Sequence, residues 1–269
     1  VAGFESGRRL CVLVEAGPSR FALEATAVTE VAHAGADGRT VRGLMELQDL
    51  SALLGGEAEE RPGMAVVLDV SPTLALRVAR VVEVADVARD PFFLLPPGLG
   101  GALTLLARGA LLHQGQLYLE LTPEALQQRP GPACAPPREV LLLETPPERA
   151  LVLESQGRLY GVPLGLVSQV VMGAAGFLPL PVARGPVAGL LPHGQVLWPI
   201  CSVAGLLGAV PLREDYFVLT ELAGLSVGLC AQRVLGVHGR LAATDVRGEF
   251  TAPGMPGPAL FLDLQRMFS

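Results

Sequence analysis

The chain contains no lysine and no asparagine, and Ile200 is its only isoleucine. These gaps, beside an excess of Ala, Gly, Leu, Val, Pro and Arg, read as the codon usage of a GC-rich genome and carry no information about fold. Arginine and four histidines are the whole basic complement, and no arginine cluster stands out along the sequence. With a formal net charge of −6, a surface that tracks phosphates is not expected. A polybasic membrane patch is missing too. Nucleic acid and direct membrane insertion are therefore not expected. Residues 94–112 are largely apolar, but Pro96, Pro97 and Arg108 interrupt them, so no clean bilayer-spanning run exists. No charged stretch leads into an apolar core at the N-terminus, and the expectation is a soluble, cytoplasmic protein without a signal peptide.

Cysteine is scarce. Cys11, Cys134, Cys201 and Cys230 form no CxxC pair, and all but Cys134 sit in apolar, strand-like runs. Buried free thiols are the usual outcome, and disulfides are not expected in a cytosolic chain. Catalytic signatures are missing. There is no GxxxxGK[ST] phosphate loop and no GxSxG elbow. Gly98-Leu99-Gly100-Gly101 follows two prolines and reads as a loop. His33, His113, His193 and His238 lack ligand spacing, so neither a metal nor a cofactor is expected. The one nucleophile the sequence offers is Cys201 with His193 as base. An apolar strand usually keeps such a thiol inert, so the chain reads as a non-enzyme.

What is present is 269 residues, half of them hydrophobic, and an internal repeat. Arg20–Ala25 with Val28-Thr29-Glu30-Val31 matches Arg158–Leu164 with Val167-Ser168-Gln169-Val170. Phe21 falls on Tyr160, Val28 on Val167 and Val31 on Val170. Each copy begins as a hairpin, with strands at Leu10–Val14 and Ala150–Leu153 and turns at Gly17-Pro18-Ser19 and Ser155-Gln156-Gly157. Then Leu50–Gly55 matches Val203–Gly208, a helical turn closed by glycine. Ala65–Val70 matches Tyr216–Glu221. Leu76–Val84 matches Leu229–Val237, with Arg80 on Arg233. Leu117–Leu121 matches Leu260–Leu264. Between the copies, 128–147 is a proline-rich linker in which Val140–Leu143 has the pattern of an added strand. The expected domains are therefore 1–127 and 148–269. Many short strands bounded by Gly and Pro predict an all-β chain of barrels or sandwiches. Helix is expected only near Leu50–Leu54, Pro123–Gln128 and Ser202–Leu207. Phe92 and Phe93 are expected in the core. Trp198 is either core or an exposed anchor, and Met255 has the same two readings.

The order of these elements resembles the CheW-like family of chemotaxis coupling proteins. The residues that carry the resemblance are Val196–Val203, similar to the family's proline-containing strand, Gly228–Val237, similar to its long strand, and Leu260–Leu264, similar to its closing strand. The second copy matches better than the first. The resemblance implies two CheW-like domains, each a pair of small five-stranded SH3-like barrels with short helices. It implies a scaffold that couples receptors to a kinase without catalysing a reaction. The implied partners are the regulatory domain of a CheA-type histidine kinase and the cytoplasmic tip of a chemoreceptor. Other CheW-like proteins or a second copy of this chain are alternatives, as in an array-capping module. The family's Asn-x-Arg-Gly receptor-contact segment maps onto Arg42-Gly43 in the first copy and His193-Gly194 in the second, and Trp198 lies close by. Departures are His193 for arginine, Glu46 for the proline, Gln48 for an apolar residue, and Ala79 and Gln232 for the usual aspartate. The offset between matches changes along the chain. Copy one lacks the equivalent of Met172–Leu191, and copy two that of Gly101–Gly115. Each is thus expected to be trimmed in a different half, either by loss of a binding face or by drift in loop length.

Overall fold

A computed structural model describes residues 8–36, 38–58, 63–96, 99, 101–127, 140–173, 176–180, 186–208, 214–222 and 224–268. Cys134 and residues 128–139 of the proline-rich linker lie outside these. The first set of elements is β1 (Leu10–Ala16), β2 (Ser19–Glu24), β3 (Val28–His33), β4 (Thr40–Val41), β5 (Met45–Asp49), α1 (Leu50–Leu53), β6 (Met64–Leu68), β7 (Leu74–Val78), β8 (Arg80–Asp86), β9 (Phe92–Phe93), α2 (Gly101–Leu106), β10 (Ala107–His113), β11 (Gln116–Leu121) and α3 (Pro123–Leu126). The second is β12 (Arg149–Ser155), β13 (Arg158–Pro163), β14 (Val167–Met172), β15 (Leu178–Pro179), β16 (Val187–His193), β17 (Val196–Ser202), α4 (Val203–Leu206), β18 (Tyr216–Leu222), β19 (Leu225–Ala231), β20 (Arg233–Gly239), β21 (Ala242–Ala243), β22 (Glu249–Thr251), β23 (Ala259–Phe261) and α5 (Leu264–Met267). The chain is all-β with short helices.

Four sheets result. Their orders are β8-β1-β2-β11-β10-β9 and β3-β6-β7-β5-β4 in the first set, and β20-β12-β13-β23-β22-β21 and β14-β18-β19-β17-β16-β15 in the second. Strand for strand the two sets run in the same order, with β15 and α2 as the elements lacking a counterpart. Even the irregularities recur. The β1–β8 ladder slips between Leu13 and Val14, and β12–β20 slips between Val152 and Leu153. The β3–β6 ladder slips at Val28/Glu30, and β14–β18 at Val167/Gln169. A bulge bends its strand and is a specific feature of a fold, so its recurrence at matched positions is informative.

Two compact units are formed. The first comprises the described residues of Val1–Cys134, Ala175–Ala183 and Pro192–Leu197, and the second those of Ala135–Ala174, Arg184–Leu191 and Trp198–Ser269. In the first, the Ser19 hydroxyl donates to the Pro179 carbonyl at 2.7 Å, and Arg20 donates to the carbonyls of Leu117 and Phe177. In the second, β12 serves two cores. Ala150 and Val152 pack with Phe250, Ala259 and Phe261. Leu151 and Leu153 pack with Tyr160, Val162, Cys201, Val218 and Leu229. A strand buried on both faces reads as a continuous apolar run, which is why this segment lacks polar alternation. Gln114-Gly115 and Gln156-Gly157 each place both turn residues at positive φ. That is the geometry a two-residue hairpin needs to match the twist of its strands.

Several expectations change. Each set keeps both of its sheets, so no half is lost. The trimming shows as strand length instead: β4 has two residues where β16 has seven, and β22 has three where β10 has seven. Gly101 opens α2 rather than lying in a loop, and α5 is a further helix not expected. Phe92 is partly exposed, while Phe93 is buried as expected. Val140–Leu143 makes a single antiparallel bridge, Leu142 to Leu262, rather than a full strand. The closing strands align two residues away from the sequence match: Leu119 pairs with Phe21 and Leu260 with Tyr160. A slip of two preserves the inward face, so the hydrophobic pattern could not detect it. Ala65 corresponds to Phe217 rather than Tyr216, since Val31 pairs with Val66 and Val170 with Val218.

Candidate interaction surfaces

The sequence-nominated residues fall on hairpin turns and one buried strand. Arg42 and Gly43 form the β4–β5 turn at φ 54° and 69°. Arg42 is exposed and its guanidinium meets the Glu30 carboxylate at 2.7 Å. The next residue, Leu44, is 91% exposed. His193 ends β16 half-buried, and Gly194 turns the chain at φ 62°. Trp198 is buried, and its indole N–H has no hydrogen-bond partner among the described residues. Met255 is half-buried against the Phe250–Phe261 cluster.

Exposed apolar side chains recur at matched positions. Val31 on β3 corresponds to Val170 on β14, and Val84 on β8 to Val237 on β20; all four are exposed. Each lies on a strand at the end of its sheet, where backbone groups are open to a partner. Ion pairs recur as well. Arg80 meets Glu15 at 2.5 Å, and Arg233 meets Glu154 at 3.3 Å. The bond to Arg80 holds the Glu15 carboxyl below the usual carboxylate range.

Three polar clusters were not visible in the sequence. The first surrounds Glu120, which is 1% exposed and on the face that carries Ala22 and Tyr118. Arg9 donates to both of its carboxylate oxygens and Arg108 to one. Arg9 also lies over the Phe92 ring, 5.5 Å from its centroid, and its bond to Glu120 raises its pKa. The Phe92 ring covers Gly109, where a Cβ would sit 2.2 Å from Cζ. The second cluster is His113, whose Nδ1 is 2.5 Å from Asp90 and whose Nε2 is 3.3 Å from Glu83. The third is Glu214, buried near β18. Its Oε1 accepts from the Ser155 hydroxyl at 2.5 Å, while Oε2 has no hydrogen-bond partner among the described residues. Burial raises the Glu214 pKa, against the bonds from Ser155 and Cys230 that lower it.

The thiols show no activated geometry. Cys11, Cys201 and Cys230 are buried, and no disulfide joins them to one another. Burial pushes the Cys11 thiol up to about 11 and raises Cys230 further. Cys201, the candidate nucleophile, packs among Leu151, Val218 and Leu229 in the core. Among the described residues no cluster of His, Cys, Asp or Glu has metal-binding geometry, and no helix is long and apolar enough to cross a membrane.

No family model matches the chain, and no curated protein matches it. Among solved structures it is similar to the scaffolding protein TtCheW from Thermoanaerobacter tengcongensis. The likeness covers 46% of this chain and 94% of that one, at 17% identity and a TM-score of 0.37.

Proposed function

We propose that the chain is a tandem, CheW-like adaptor of a chemosensory pathway, acting by binding and not by turnover. The supporting observation is the twofold recurrence of one strand order, with its bulges, across the motifs that resemble CheW. On this reading each set of strands is one CheW-like domain, and the linked pair holds two partners, or one at raised effective concentration. The partners are the regulatory domain of a CheA-type histidine kinase and a chemoreceptor tip. The first of these docks on exposed sheet edges such as those bearing Val84 and Val237. The second engages the turns at Arg42-Gly43 and His193-Gly194. Binding of the full chain to a purified kinase regulatory domain and to a receptor cytoplasmic fragment, measured by calorimetry, tests this. Affinity for at least one is expected; affinity for neither overturns it.

A second reading is supported by β14, an end strand with no charged residue and exposed Val170 and Met172. Such an edge favours self-association or capping of an array. Sedimentation of the chain with and without the kinase domain separates the two, since self-association alone favours the second. A Cys201 enzyme has the burial of that thiol against it, and labelling of Cys201 in the folded state would revive it.

A further inference from the structure

Residues 176–180 lie between β14 and β16 in sequence but pack within the first unit. Phe177, Leu178 and Leu180 are buried there, and β15 lies against β2 and β11. The parallel ladder of β2 with β11 pairs Phe21 with Leu119 and Ala22 with Glu120. Before Phe21, side-chain donors replace the ladder. Arg20 Nε donates to the Leu117 carbonyl at 3.1 Å, and its Nη2 donates to the Phe177 carbonyl at 2.8 Å. The buried Ser19 hydroxyl donates to the Pro179 carbonyl at 2.7 Å.

This is the pattern of peptide recognition along an extended backbone. Carbonyls two residues apart point to the same side of an extended chain, so Arg20 and Ser19 read one edge of the segment. β15 is an end strand of its sheet, which leaves an edge for them. Pro179 brings no amide N–H to be satisfied. Gly176 turns the chain in at φ 80°, where a Cβ would sit 3.1 Å from Pro192 Cγ. The donors belong to the first set alone. The hairpin registers match Ser19 with Arg158 and Arg20 with Leu159. Arg158 is exposed and faces Glu249 at 3.8 Å, and Leu159 packs on the Phe250–Phe261 cluster. A contact that the fold itself required would have kept such donors in both sets.

We infer that β2 and β11 of the first unit form a cleft for an extended apolar peptide, that residues 177–180 fill it within one chain, and that the same segment of a second copy can take their place. Cleft and ligand are carried by one chain, so every copy offers a matching ligand to every other. Exchanging an identical contact between copies creates no new interface, which makes it a low-cost route to a dimer. Within one chain the segment competes at the effective concentration its tether sets, about millimolar for short flexible tethers. The closed single chain therefore dominates when the protein is dilute.

The inference stands apart from the adaptor reading, because neither kinase nor receptor binding enters its test. Two variants of the full chain are used. Ser19→Ala with Arg20→Ala weakens the cleft, and Phe177→Ala with Leu178→Ala weakens the ligand. Each keeps one sound half, so their mixture can join a sound cleft to a sound ligand. Analytical ultracentrifugation is expected to show a one-to-one complex in the mixture, at least about tenfold tighter than the association of either variant alone. Circular dichroism checks folding, and Leu178→Ala alone replaces the double variant if that unfolds. A peptide of residues 176–180, blocked at both ends and followed by fluorescence anisotropy, is expected to bind the ligand-weakened variant and not the cleft-weakened one. No complex in the mixture overturns the inference, as does equal association of either variant alone, which places the contact elsewhere. Peptide binding that does not differ between the two variants overturns it too.

Discussion

The two sets of strands solve one packing problem with opposite chemistry. The register that aligns Leu119 with Leu260 also aligns Glu120 with Phe261, Gly109 with Gly248 and Ala22 with Gly161. In the second set Phe250 and Phe261 meet edge to face, with centroids 5.0 Å apart. In the first, a buried carboxylate is held by Arg9 and Arg108, with the Phe92 ring laid over Gly109. The aromatic pair is self-sufficient. The ion cluster depends on partners that reach in from outside, and a buried charge is costly once they are removed. One fold therefore tolerates either solution, but the two fail in different ways.

The comparison is broken most sharply by Arg9→Ala with Arg108→Ala. It strands Glu120 in the core and should cost the first unit about 3–5 kcal/mol in urea denaturation. The reverse change, Glu120→Leu, frees two partly exposed arginines to reach water and should cost far less. Equal losses would show that charge is not what matters there. Next, Phe261→Ala removes half of the aromatic pair and should cost about 3–5 kcal/mol. Its effect should be independent of salt, unlike that of the arginine variant. A smaller effect is expected for Gly161→Ala, whose Cβ would fall 2.0 Å from the Phe261 ring. Overpacking of this kind costs about 1–3 kcal/mol. The matched Ala22 already carries that methyl without conflict, so Ala22→Gly should lose only about 0.5–1 kcal/mol.

The most modest test uses pH. Where the first set pairs Asp49 with Arg77 at 2.9 Å, the second has Ser202 and Cys230, with Cys230 bonded to Glu214. Burial raises the Glu214 pKa above its ordinary 4.5, so the folded chain binds more protons than the unfolded one above that pH. Its contribution is complete below 4.5 and is lost as pH rises toward the raised folded value. Stability measured across that window should fall with pH in the wild type, and Glu214→Gln should flatten the slope.

The all-β architecture was legible because strand-length apolar runs and Gly/Pro turns are local signals. The recurrence of strand order was legible in Arg80 and Arg233, and in Val31 and Val170, which keep their places. The register of the closing strand was not legible, because Leu117, Leu119 and Leu121 offer the same face at every second residue. The ion cluster was hidden for another reason. Arg9, Arg108 and Glu120 are ordinary charged residues in sequence; the β10–β11 hairpin sets Arg108 beside Glu120, and the parallel pairing of β2 with β11 brings Arg9 to them. For the turn residues Arg42, Gly43, His193 and Gly194, local geometry followed from glycine and turn chemistry, whereas Trp198 gave no sign of which face it would take.

The parallel pairing of β2 with β11 also bears on synthesis. Strand β2 leaves the ribosome about 90 residues before β11. At translation rates of roughly 5–20 residues per second it waits on the order of 5–20 s for its neighbour. Throughout that interval Phe21, Ala22 and Leu23, all buried in the finished protein, have β1 alone as a paired strand and lack their neighbour on the other side. The first unit thus cannot close in the order in which it is made. Its earliest strands should be the ones a chaperone sees, and chains halted before Gln116 should be the ones that aggregate.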